Sequence, residues 1–85
     1  MLKTTSYFDR KVAVERSYVT LELCAKVLES PDASEVQDDG RIRYWRKLEE
    51  LGGRYLRVAT LADGVTVHNA FIDRTFMRRN RATSL

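Results

Sequence analysis

Two Asp-Gly dipeptides, Asp39-Gly40 and Asp63-Gly64, each stand between segments in which apolar and polar residues alternate. Primed two-residue turns need positive φ, which Gly adopts without strain and Asp tolerates, so the two dipeptides read as hairpin turns. From Val36 onward the apolar period is two rather than 3.6. The second half of the chain therefore predicts three or four antiparallel strands: a short first at Ser34 to Asp38, then Arg41 to Lys47, Arg54 to Leu61 and Val65 to Ile72. Glu49 to Gly53 joins the second strand to the third as an irregular loop marked by Gly52-Gly53.

The first half has helical spacing. Leu21, Cys24, Ala25 and Leu28 fall at i, i+3, i+4 and i+7, with Val27 widening the stripe. Thr20 is placed to cap this helix, and Ser30-Pro31 ends it, because the residue before proline is pushed out of the helical region. Asp9 to Arg16 predicts a shorter helix with Phe8, Val12 and Ala13 turned inward. The expected fold is α+β, with two N-terminal helices packed on a three- to four-stranded antiparallel sheet. It forms a single domain over 1–85, divided into a helical half at 9–30, a sheet at 34–72 and a basic tail at 73–85 that begins with a helical turn at Thr75 to Arg78. The expected core holds Leu21, Cys24, Leu28, Ile42, Leu56, Val58, Val67 and Phe71.

At 85 residues and 44% apolar content there is room for one domain and no second catalytic unit. Nothing approaches the roughly 20 apolar residues that span a bilayer, and the N-terminus lacks the apolar stretch of a signal peptide, so a cytoplasmic location and no membrane partner are expected. One Cys and one His cannot build a zinc ligand set, no Gly-rich nucleotide motif is present, and the acidic residues do not converge as a catalytic pair. No metal or other cofactor is expected.

Charge is distributed unevenly. Residues 1–40 carry five basic and eight acidic side chains, whereas 41–85 carry ten basic and four acidic. If the turn at Asp63-Gly64 has two residues, Leu56, Val58 and Thr60 share the helix side with Val67, Asn69 and Phe71, and Tyr55, Arg57, Ala59 and Leu61 share the open side with Thr66, His68, Ala70 and Ile72. Arg41, Arg43, Trp45 and Lys47 also look outward. Cations interleaved with aromatics suit a surface that neutralises phosphates and stacks bases, so Arg41, Arg43, Trp45, Lys47 and Tyr55 are candidate RNA contacts, widened by Arg78 and Arg79 of the tail. His68, the one side chain with an ordinary pKa near neutrality, and Arg57 diagonal to it form the candidate catalytic pair: a proton-transfer group and an electrostatic clamp on one phosphate.

The order of elements and the wording of several segments resemble the RelE/ParE toxin superfamily, in particular its small bacterial domains of unknown function. The opening, Arg10-Lys11 through Glu15-Arg16 and on to Val27-Leu28-Glu29-Ser30-Pro31-Asp32, is similar to theirs, as is the strand Arg54-Tyr55-Leu56-Arg57-Val58-Ala59-Thr60-Leu61 ahead of the Asp63-Gly64 hairpin. The resemblance implies a toxin-like, metal-independent messenger-RNA endonuclease of a toxin–antitoxin module, acting on free or ribosome-bound RNA and neutralised by a cognate antitoxin. In it Arg57 matches the arginine of the third strand and Arg78 or Arg79 the basic tail residue; His68 has no family counterpart. Phe8-Asp9-Arg10 stands where many relatives have a histidine, and gyrase-poisoning relatives share the fold without being nucleases. The alternative is a non-catalytic RNA- or protein-binding domain.

Overall fold

The N-terminal residues enter the sheet before any helix begins. A computed structural model describes residues 2–76, and in it β1 (Lys3–Thr4) pairs in parallel with the last strand. A π-helical turn over Phe8–Val12 runs into α1 (Ala13–Glu15), followed by α2 (Leu21–Glu29), β2 (Ala33–Val36), β3 (Ile42–Leu48), a 3₁₀ turn (Glu49–Leu51), β4 (Arg54–Thr60) and β5 (Thr66–Ile72). A further helical turn occupies 74–76. The sheet order is β1-β5-β4-β3-β2. The expected tail turn at Thr75 to Arg78 lies partly outside the described residues.

The fold class is α+β, and the four strands expected from the hairpin signals are present within one or two residues of their predicted limits. β1 is the addition: with two residues it is too short to show an alternation, and it makes the sheet mixed rather than antiparallel. Gly40 and Gly64 have φ of 89° and 75°, but neither Asp39 nor Asp63 has positive φ. The expected primed two-residue turns are replaced by turns in which the Gly40 amide donates to Gln37 O and the Gly64 amide to Leu61 O, with the Gly in last position. Asp63 reinforces its turn by accepting from the Val65 and Thr66 amides and the Thr66 hydroxyl.

Thr20 caps α2, its side-chain oxygen accepting from the Leu23 amide at 3.2 Å. The helix is rotated from the expected stripe: Cys24 and Val27 are fully buried and Leu23 and Leu28 pack partly against them, while Leu21 is 44% exposed. In the π-helical turn Phe8 and Val12 go inward as expected, but Ala13 is exposed. Leu56, Val58, Val67, Ala70 and Leu48 meet these helical residues in one cluster, so both helical segments lie on the same side of the sheet. Burial pushes the Cys24 thiol up to about 12, consistent with a small apolar core residue.

Register is where the expectation fails. Leu56 faces Ile72 and Val58 faces Ala70, but Ala59 pairs with Asn69 and Thr60 with Val67, leaving His68 as an extra residue. A bulge of this kind reverses the inward and outward roles of every residue beyond it. Ala70 and Ile72 therefore join the helix side, and Asn69 and Phe71 join Arg57; Phe71, an expected core residue, is only half-buried on the opposite face. Leu56→Ala, at a fully buried position, is expected to cost about 2–5 kcal/mol. Leu21→Ala should stay within about 0.5 kcal/mol; equal losses in urea unfolding followed by circular dichroism would contradict this assignment of the core.

Candidate nucleic-acid interface

On the side of the sheet away from the helices, two cross-strand rows run side by side: Trp45, Arg57 and Phe71 in one, and Arg43, Ala59 and Asn69 in the other. Arg57 lies over the Phe71 ring with its guanidinium carbon 4.7 Å from the centroid. Arg16, arriving from the end of α1, lies 5.9 Å from the same ring and donates to Asn69 Oδ1 at 3.3 Å. Arg43 is tied to Glu35 at 3.3 Å, and with the Gln37 amide turned so that its oxygen faces the guanidinium, Gln37 accepts from Arg43 Nε and Nη2. Two arginines thus lie over one phenyl ring, with Arg43 in the neighbouring row.

Arg57 is more enclosed than Arg43, their side chains being 23% and 29% exposed. Its Nε is buried without a hydrogen-bond partner, and its Nη1 stands 3.8 Å from Asp73 Oδ2. Burial and the neighbouring Arg43 charge hold the Arg57 guanidinium below its ordinary pKa, opposed by Asp73 and Glu35. Both causes favour an added anion, because a bound phosphate would offset the repulsion and supply acceptors in a partly desolvated place.

Asp73 organises the adjoining patch. Its Oδ2 accepts from the Trp45 indole at 2.9 Å and its Oδ1 accepts from the Phe76 amide at 3.0 Å. Burial raises its pKa, but these bonds and Arg57 outweigh burial, so the carboxyl is held below its ordinary value. Phe76 stacks on Trp45 with ring centroids 4.7 Å apart and planes 13° apart, and tilts against Tyr55 at 5.0 Å. Trp45, expected to look outward, points to the expected side of the sheet but is covered there and only 2% exposed. Lys47, on the same side and paired across from Tyr55, is exposed. Arg41 is exposed beside Asp39, whose carboxylate is 3.8 Å away.

His68 does not join Arg57. The bulge and the parallel strand β1 bring it against the N-terminal segment, where its Nδ1 is hydrogen-bonded to Thr5 Oγ1 at 3.0 Å and its ring stacks on Tyr7 at 4.9 Å. Thr5 Oγ1 also accepts the Phe8 amide, which caps the first helical turn. The expected proton-transfer group thus serves as a strut between strand and helix, while Arg57 keeps company with Phe71 and Asp73. Reasoning from the sequence missed Arg16, Asn69, Phe71 and Asp73. Asp73 had a readable signal, an Asp three residues before Phe76 in helix-capping position; the other three depend on the bulge. Arg78 and Arg79 lie outside the described residues.

Among the described residues no cluster of three or more His, Cys, Asp or Glu could hold a metal ion, and no helix is long and apolar enough to cross a membrane. Compared with protein-family models, with curated proteins and with solved structures, the chain matches none.

Burial and the nearby Arg41 charge lower the His68 pKa from its ordinary 6.5, with Asp39 opposing. The folded state therefore favours the neutral ring, so His68 contributes stability that is present above pH 6.5 and lost as the pH falls through its lowered value. Between pH 7.5 and 5 the melting temperature of the wild type should fall more steeply than that of His68→Asn, which can still bond Thr5 but does not titrate. Parallel curves would show that the ring is not energetically coupled to the fold.

Proposed function

We propose that this chain is a small toxin-like RNA-binding protein that takes the phosphates of single-stranded RNA on the Arg57 side of its sheet. The observation that carries the reading is the half-enclosed Arg57 guanidinium, set against Phe71 and flanked by Arg43 and Arg16. Cations at that density around an aromatic ring suit a phosphate backbone whose bases remain free to stack. The resemblance to toxins supplies RNA as the partner and adds an antitoxin that would cover the same face. It rests on the order of elements, helical segments ahead of a run of antiparallel strands.

Binding is favoured over cleavage by the position of His68, which is occupied by Thr5 and Tyr7 rather than set beside Arg57. Metal-independent cleavage of messenger RNA, free or on the ribosome, is the reading to which a positive assay would return. The test uses labelled oligouridylate with EDTA present throughout. Arg57→Ala is expected to weaken binding by at least tenfold and to lower the slope of log affinity against log salt by about one. His68→Ala should leave affinity nearly unchanged. Binding that ignores salt and Arg57 would refute the proposal, and RNA cut in EDTA at a rate abolished by either substitution would make the protein an endonuclease.

A further inference from the structure

The patch beside Arg57 carries a contact that the fold does not need for its main core. Trp45 and Phe76 are 2% and 7% exposed, yet neither belongs to the cluster that joins the sheet to the helices. Their burial is a separate event on the opposite face. Phe76 reaches it from a helical turn at 74–76 that follows β5 directly and whose Phe76 amide donates to Asp73 Oδ1.

The geometry of the contact resembles a base on a platform. Planes 13° apart at 4.7 Å are what a flat purine or pyrimidine adopts on an indole, with Tyr55 closing one edge at 5.0 Å. The platform adjoins the arginines: Trp45 and Arg57 are direct cross-strand partners. A nucleotide whose phosphate sits on Arg57 would find its base within reach of Trp45 if Phe76 were absent.

The residue that holds Phe76 also borders the phosphate site. Asp73 faces Arg57 Nη1 at 3.8 Å while accepting from both Trp45 and the Phe76 amide. A phosphate drawing on the same guanidinium competes with Asp73 Oδ2 but leaves the Oδ1 bond to the Phe76 amide in place, so the base and not the phosphate must displace the ring. We infer that Trp45 and Tyr55 form a base-stacking platform that Phe76 fills until a base of bound RNA displaces it. This rests on the RNA-binding reading above.

The experiment uses the intrinsic fluorescence of Trp45, the chain's one tryptophan, in the full chain. Oligouridylate should alter Trp45 emission and its quenching by acrylamide, whereas inorganic tripolyphosphate, which has no base to stack, should bind without quenching the emission. Phe76→Ala should bind oligouridylate about tenfold more tightly and tripolyphosphate with unchanged affinity. Phe76→Leu, which keeps an apolar cover but not a stacked ring, should shift in the same direction and serves if the alanine variant does not fold. RNA binding that leaves Trp45 emission and quenching as they were, or folded Phe76 variants that gain nothing for oligouridylate, would overturn the inference while leaving the phosphate site standing. If the wild type binds neither probe, the RNA-binding reading fails and takes this one with it.

Discussion

The extra residue at His68 lets one strand serve two faces whose demands differ. Val67, before it, is fully buried beside Thr60 on the helix side. Asn69 and Phe71, after it, stand with Ala59 and Arg57 on the other side, and Ala70 is returned to the core. Without the bulge Phe71 would be driven under the helices and Ala70 would lie beside Arg57, so the guanidinium would lose the ring on which it rests. The bulge is stabilised from outside the strand, since Thr5 and Tyr7 occupy the displaced imidazole. Bulges commonly aim a side chain or end a pairing; here the bulge aims His68 at Thr5 and Tyr7 while β4 and β5 stay paired beyond it, and β1 is the element that holds it.

The hairpins and α2 were legible because each is written in local chemistry: Asp-Gly at the turns, Thr20 at the cap, Pro31 at the stop. Their limits agree to within a residue or two. The bulge was not legible, because a strand with one extra residue has the same composition and nearly the same alternation as one without. Counting back from Asp63-Gly64 carried the error to every position beyond it, and so placed His68 with Arg57. The rotation of α2 has a similar origin: Leu21, Cys24, Ala25 and Leu28 form a stripe, but so do Leu23, Cys24, Val27 and Leu28, and packing against Val58 and Leu56 decides between them. At the interface, Arg43, Trp45, Lys47, Tyr55 and Arg57 do share the expected side, because strand alternation within β3 and β4 is undisturbed.

Electrostatically, the open face is an arrangement of cations with two carboxylates, Glu35 and Asp73, placed at its margins. They differ in depth. Glu35 is an exposed partner of Arg43, a pair worth little on its own. Asp73 is buried, and its charge is maintained by two donated hydrogen bonds as well as by Arg57. Arg16, Arg43 and Arg57 against Glu35 and Asp73 leave one positive charge in excess around Phe71.

The pairing of β1 with β5 has a consequence for how the molecule comes together. Thr5 and His68 are 63 positions apart, whereas β2 to β5 form a succession of neighbours linked by tight turns. Closing a long loop costs more entropy than closing a hairpin, so distant pairings tend to form after local ones. During synthesis Lys3 and Thr4 must therefore wait, uncommitted, until β5 has been made.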